Sequence, residues 1–355
     1  MLDHPDVTAL YDRYLSLAAD GGTPRARDAA EQLGVSEAEL VEAKGTAGLS
    51  RALRPHEERG FAPLLEQMPE MGEVMVLTRN QSCVHERHGT FGNVRIGEKM
   101  GLVLNKSVDL RIFINHWASG FAVEEDVKSG KRLSLQFFDP QGTAIHKIYA
   151  TAKTDRPAFE ALIEAWVDRN PQKLVPLPPE PPKADRPDSE IDVPALRRDW
   201  QAMTDTHQFF GMLRRHKTGR LQALRLAGDD LSHRVAADAA ARMLDMAAAD
   251  AVPIMVFVAN KGCIQIHSGP VSTIKTMGPW LNVLDPEFNL HLRTDHIAES
   301  RIVRKPTKDG IVTSLELFDS EGGVICTFFG ERHEGEGELA GWRDVLARLE
   351  REVAA

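Results

Sequence analysis

The sequence predicts an α+β protein made of two copies of one domain, each an antiparallel β-sheet flanked by helices. Three observations carry this. The chain has 355 residues, more than one ordinary domain needs and suited to two of moderate size. The segment "LVPLPPEPPKADRPDSEIDVP" (174–194) is dense in proline and charge, reads as an exposed, semi-rigid connector, and divides the chain nearly in half. A shift of 180 residues then lays one half over the other without a gap in three blocks. "RNQSCV" (79–84) matches "ANKGCI" (259–264), "VLNKSVDLRIFINHW" (103–117) matches "VLDPEFNLHLRTDHI" (283–297), and "SLQFFDPQG" (134–142) matches "SLELFDSEG" (314–322). The expected organisation is an N-terminal repeat over 1–173, the linker 174–194, and a C-terminal repeat over 195–355.

Taken in order, the elements agree. "TPRARDAAEQLGVSEAELVEAK" (23–44) reads as helix, tight turn, helix, with Ser36 and Glu39 spaced as a capping box. That spacing is also the spacing of a DNA-binding helix-turn-helix. The helix after the turn carries three Glu and one Lys, the wrong charge to lie on phosphates, so helix packing is the expectation. "EVMVLTRN" and "PIMVFVAN" are β-branched runs ending at a turn-forming Asn. "SVDLRIFINHWASGFAVEEDV" alternates like strands with one face on a core. "DPQG" and "DSEG" each join two apolar runs, as a β-hairpin requires. Helices are expected over 155–170, 232–251 and 337–355, and across the segment "MTDTHQFFGML" (203–213).

Composition narrows the function. The chain has an ordinary apolar and charged content and no apolar run long enough to span a bilayer, so stable membrane insertion is not expected. Asp3 and Asp6 stand where a signal peptide would be basic, and three scattered cysteines suit neither a disulfide framework nor a structural zinc site. A cytoplasmic protein with reduced thiols is expected. A net charge of −9 argues against nucleic acid as a partner. The sequence holds no phosphate loop, no GxSxG elbow, no HExxH and no CxxC.

Thirteen histidines are the informative feature. His116 and His296 occupy equivalent repeat positions, which favours a structural role. His85 and His88 read as surface residues. His207 is different, because Trp200, Met203, His207, Phe210 and Arg214 follow at three- and four-residue steps and would share one helix face. A helical imidazole flanked by Met and Phe, with Arg one turn on, suits a flat macrocycle whose iron takes a neutral nitrogen ligand. A helix packed on its own sheet, with His207 bonded to a carbonyl, fits the same spacing. Periodicity does not choose between them.

Five blocks in order, "DLRIFINHW", "SLQFFDPQGTAIHKIY", "TDTHQFF", "SRIVRKPTKDGIVTSLELFD" and "FFGER", resemble the cytoplasmic haem-binding and hemin-degrading factors of bacterial haem-uptake systems, the HemS/HmuS/ChuS type. The similarity runs over about residues 5 to 345. The resemblance implies two similar halves with a haem cleft between them and His207 as the axial ligand of haem iron. It implies Arg111 as the distal, catalytic residue, with Phe113 beside the macrocycle. Lys305 would approach a propionate, Arg332 would line the pocket, and Phe257 and Phe329 would wall it. Where some relatives have a tyrosine near the final strand, this chain reads "CTFFGER", so no phenolic contact is assigned there. Haem b would be ligand or substrate, with an external electron donor if the protein is catalytic, and a surface His85 would be the ligand of any second haem. Two readings stand: an enzyme that opens the ring and frees iron, and a carrier that takes haem from the cytoplasmic side of an importer or passes it to a receiving protein. Both serve iron acquisition.

Overall fold

The computed structural model describes residues 6–21, 25–127, 130–181, 184–333 and 335–353. Asp3, Thr23, Pro24 and the last two residues, on which some of the expectations rest, lie outside that set. The chain divides into two compact units, Met1–Arg79 with Glu86–Glu180 and Asn260–Gln265, and Asn80–His85 with Pro181–Ala259 and Ile266–Ala355. Each unit thus takes in a short segment from the other half of the chain, and the two segments are themselves 180 residues apart.

The first half runs α1 (Val7–Gly21), α2 (Ala26–Leu33), α3 (Glu37–Ala43), β1 (Ser50–Ala52), α4 (Ala62–Leu65), β2 (Gly72–Arg79), β3 (Cys83–Thr90), β4 (Val94–Ile96), β5 (Gly101–Leu104), β6 (Asp109–Ile112), β7 (Ser119–Val127), β8 (Gly130–Phe138), β9 (Ala144–Thr154) and α5 (Arg156–Trp166). The second runs α6 (Val193–Gln201), α7 (Gln208–His216), α8 (Arg220–Leu226), β10 (Ser232–Val235), α9 (Ala239–Ala249), β11 (Ile254–Ala259), β12 (Cys263–Gly269), β13 (Ile274–Met277), β14 (Trp280–Leu284), β15 (Phe288–Arg293), β16 (Glu299–Thr307), β17 (Gly310–Phe318), β18 (Val324–Gly330) and α10 (Ala340–Val353). The first four residues of the expected 232–251 helix are strand β10, because β-branched and polar residues there pair with β16.

Within the first unit β1-β7-β8-β9-β2 pair antiparallel, as do β4-β5-β6. Within the second, β10-β16-β17-β18-β11 and β13-β14-β15 repeat the pattern. The duplication extends to irregularities. The β8–β9 register slips at Phe137/Phe138 and the β17–β18 register at Leu317/Phe318. Asp139 Oδ1 accepts from the N–H of Gln141 and Thr143, and Asp319 Oδ1 from Glu321 and Gly323. Gly142 and Gly322 then supply the left-handed backbone that closes each hairpin (φ 77° and 79°).

The two matched asparagines anchor the exchanged segments. In the first unit Asn260 Oδ1 accepts from Gly262 and Cys263 N–H, while its Nδ2 donates to Arg79 O at 2.9 Å and Ile145 O at 2.8 Å. In the second, Asn80 repeats all four bonds on Ser82, Cys83, Ala259 and Ile325. One side chain thereby satisfies turn and strand groups that burial would otherwise leave without partners.

Each main strand run is covered on both faces. In the first unit Leu135, Phe137 and Ile148 face the core under α5, while Phe121 and Val123 face α3 through Ala38 and Val41. In the second, Val256, Leu315 and Phe328 face α9 and α10, while Val303 and Phe318 face α6–α8. Helix α3 has the capping box, with Glu39 N–H donating to Ser36 Oγ and Ser36 N–H to Glu39. It is a packing helix, because Ala38, Leu40 and Val41 are buried.

Glu37 fastens α3 to the sheet through Lys147 of β9 and Arg79 of β2. Burial pushes its carboxyl upward, but Lys147 and Arg79 outweigh that and bring it down to about 2 from the ordinary 4.5. A carboxyl depressed by folding stabilises the native state above its unfolded pKa and loses that contribution as pH falls through the folded one. Urea unfolding should therefore show stability declining as pH falls from 4.5 towards about 2. Glu37→Gln should be less stable at pH 6, by about 3–5 kcal/mol for a broken buried pair, and flatter across that acid window.

Candidate functional site

Helices α6–α8 form a layer on one face of the second unit's strands. Leu196, Trp200, Phe209, Met212, Leu213 and Leu224 pack there against Val303 and Phe318. Trp200 Nε1 donates to Arg304 O at 2.9 Å, and the Phe209 ring meets the Trp200 ring edge-on at 4.7 Å. The expected continuous helix across 203–213 is absent, since α7 begins only at Gln208. Local side-chain bonds win between Met203 and His207. Thr204 N–H donates to Gln208 Oε1 at 2.9 Å, and His207 N–H to Asp205 Oδ1 at 2.8 Å.

That break decides the environment of His207. Trp200 and Met203 turn into the core, whereas the His207 side chain, at the N-cap of α7, is 94% exposed. Its Nδ1 lies 2.7 Å from Asp205 Oδ1. The backbone and ring bonds from His207 hold the Asp205 carboxyl below the usual range. The Nε2 edge of the ring is left open to solvent. Phe210, one turn on, is also exposed, with the Arg214 guanidinium over its ring at 5.1 Å.

Strand register gathers further residues on the same face. Val303 pairs with Ser314, Ser314 with Phe329, and Phe329 with Met255; Glu316 pairs with Thr327, and Thr327 with Phe257. Residues paired directly across strands share a face. Val303 lies under α6–α8, so Phe257, Phe329 and Glu316 belong to that side. Phe257 and Phe329 are half-buried and meet edge-to-face at 5.2 Å. Beyond β18, the Nε of Arg332 is buried without a hydrogen-bond partner. That donor has capacity for an acceptor, and the guanidinium also lies within electrostatic reach of Glu338.

Lys305 has a different setting from the one expected. It is buried, and its Nζ donates to Glu316 Oε1 at 2.7 Å. Glu316, fully enclosed, also accepts from Arg220 Nε at 2.7 Å, Arg220 Nη2 at 2.8 Å and Ser314 Oγ at 3.0 Å. Burial pushes the Glu316 carboxyl upward, yet Arg220 and Lys305 prevail and hold it far below the carboxylate range. Both cations lie over the Phe209 ring, Lys305 at 4.6 Å and Arg220 at 5.3 Å. The cluster keeps one positive charge in excess.

Two expected residues belong to the first unit. Arg111, on β6, is half-buried, ion-paired with Asp109, and donates to Leu110 O at 3.3 Å. Phe113 N–H donates to Gly262 O at 2.9 Å, an oxygen that also accepts from Trp117 Nε1 at 2.9 Å. His85 is a core residue rather than a surface one, fully enclosed with its ring 4.9 Å from Phe288. A surface ligand for a second haem at His85 is thereby ruled out. Strand alternation around an interior core explains the difference. His146 is likewise buried, its Nδ1 2.9 Å from Thr78 Oγ1, and burial pushes its pKa down to about 3. Cys326 is buried in the core beneath α9 and α10. Among the described residues no three His, Cys, Asp or Glu side chains cluster as a metal site.

The resemblance to known proteins runs over nearly the whole chain. The model of the haemin-degrading HemS/ChuX domain matches twice, at residues 34–166 and 217–349. The chain belongs to this family. The hemin transport protein HemS of Yersinia enterocolitica is 41% identical over 350 residues, 98% of this chain and 99% of that protein. The crystal structure of holo-PhuS, a heme-binding protein from Pseudomonas aeruginosa, superposes with a TM-score of 0.92 at 43% identity, covering 96% of this chain and 98% of that one. The heme-degrading enzyme ChuS of Escherichia coli O157:H7 gives 0.88 at 40% identity, covering 97% and 99%. HemS/ChuX membership accounts for the double domain.

Sequence reasoning missed Asp205, Arg220 and Glu316. Asp205 was legible as an Asx-type residue two before the histidine. Arg220 and Glu316 are 96 residues apart and carry no local signal. Glu316→Gln should leave the buried Lys305 and the part-buried Arg220 facing a neutral amide and destabilise the protein by about 3–5 kcal/mol. Urea denaturation at neutral pH measures this, and a loss under 1 kcal/mol, about that of an exposed pair, would contradict it.

Proposed function

We propose that this protein binds haem in the cytoplasm through His207 and serves haem-iron utilisation, with ring degradation and iron release as its activity. The observation that carries the reading is the His207 imidazole, exposed at Nε2 and held at Nδ1 by a carboxylate. It stands on the side of the second unit that also bears the half-exposed Phe257–Phe329 pair. The residues fit a flat, anionic macrocycle. His207 Nε2 would supply a nitrogen ligand to its iron, Phe257 and Phe329 would exclude water from the ring, and the Arg332 Nε would donate to a ring carboxylate. Lys305 contributes through the excess positive charge it shares with Arg220 and Glu316. The roles of Arg111 as distal donor and of Phe113 beside the ring rest on the resemblance alone. Haem, when bound, supplies the redox-active iron and the conjugated ring; the protein supplies ligation, orientation and shelter.

A carrier role is the second reading, favoured by the relatives named for hemin transport and heme binding, whereas ChuS is named for degradation. An importer's cytoplasmic side or a haem-receiving protein would then be the partner. Among the described residues no helix is long and apolar enough to cross a membrane. Haem titration followed by absorption should give one tight site in the wild type and loss of the imidazole-ligated spectrum in His207→Ala. An unchanged spectrum in the variant would refute the ligand assignment. With an electron donor added, bleaching of the haem band with iron release, insensitive to catalase, identifies the enzyme. A stable, reducible band identifies the carrier.

A further inference from the structure

We propose that Asp205 is the positioning residue of the haem site: it selects which nitrogen of His207 faces iron and raises the donor strength of that nitrogen. The inference rests on the haem reading above and adds a residue to it. Asp205 Oδ1 accepts twice from one residue, from the His207 backbone N–H at 2.8 Å and from ring Nδ1 at 2.7 Å. The first bond fixes where His207 leaves the loop, and the second fixes the rotation of its ring. A nitrogen that donates to a carboxylate must carry the proton, so the neutral ring is the Nδ1–H tautomer and the lone pair sits on Nε2. A carboxylate behind an imidazole makes the opposite nitrogen a stronger metal donor.

The loop that carries Asp205 is itself tied down. Lys308 N–H donates to Thr204 O at 2.9 Å, which fastens it to the β16–β17 turn, and Gln208 N–H donates to Asp205 O at 3.1 Å, which starts α7. Thr204 N–H and Oγ1 are both bonded by the Gln208 amide. An imidazole that is 94% exposed would otherwise sample several rotamers; here the carboxylate replaces the packing that fixes buried ligands.

Asp205→Asn separates the charge from the turn, because the amide oxygen still accepts from both His207 donors. Asp205→Ala removes both. In haem-free protein, at a pH where the ring is neutral, nitrogen-15 correlation spectra should show His207 as Nδ1–H in the wild type and a shift towards Nε2–H in Asp205→Ala. In the reduced haem complex the iron–histidine stretching frequency should fall from wild type to Asp205→Asn and again to Asp205→Ala. Haem affinity should drop about tenfold or more in Asp205→Ala. An unchanged tautomer and an equal stretch in all three proteins would overturn the proposal and leave Asp205 as a turn residue only. If the tautomer shifts as stated while His207→Ala keeps the wild-type iron stretch, the ligand assignment fails, and the role of Asp205 towards iron fails with it.

Discussion

The Glu316 carboxylate, closed off from water between Arg220 and Lys305, is the interaction on which the second unit's site depends. Arg220 begins α8, Lys305 lies on β16 and Glu316 on β17, so one buried anion joins the helix layer to two strands. The two cations in turn close over Phe209 of α7. Phe209 is two residues from His207, and its edge-on contact with Trp200 locks α7 against α6. The exposed imidazole is therefore placed from below by charge and ring packing, and from the side by Asp205. Without the anion the two cations would repel each other; Glu316 accepts four hydrogen bonds, and the cluster stays positive.

Duplication supplied the scaffold twice, and the two copies use it differently. At the positions equivalent to Lys305, Glu316, Thr327 and Phe329, the first repeat has Glu125, Gln136, Lys147 and Tyr149. There the face is sealed by α3, whose Glu37 is bound by Lys147 and Arg79. Arg132 and Lys44 hold Glu125, and Arg132 stacks over Tyr149 at 4.7 Å. The helices that cover the second repeat's face instead present a histidine at a helix start. One fold yields a closed polar core in the first unit and a face with an exposed imidazole in the second.

Much of this was legible in the chain. The 180-residue offset exposed the repeat, and the DPQG and DSEG turns located both hairpins, because those features are local or periodic. The capping box at Ser36 and Glu39 read correctly for the same reason. His207 stood out, yet its setting did not. The three- and four-residue spacing of Trp200, Met203 and His207 mimics a helix that Thr204 and Asp205 interrupt, and a spacing rule has no knowledge of that competition. His85 was misplaced because alternation tells which residues share a face, not which face is buried. The Arg220–Glu316–Lys305 cluster is tertiary and left no mark within any window of the sequence.

Iron on His207 is the claim from which the account of the second unit follows, and the crystal structure of the ferric haem complex tests it most directly. The account predicts continuous density from iron to His207 Nε2, with Nδ1 still on Asp205 and a propionate on Arg332. Iron ligated by any other side chain, with the His207 ring turned away, would contradict it.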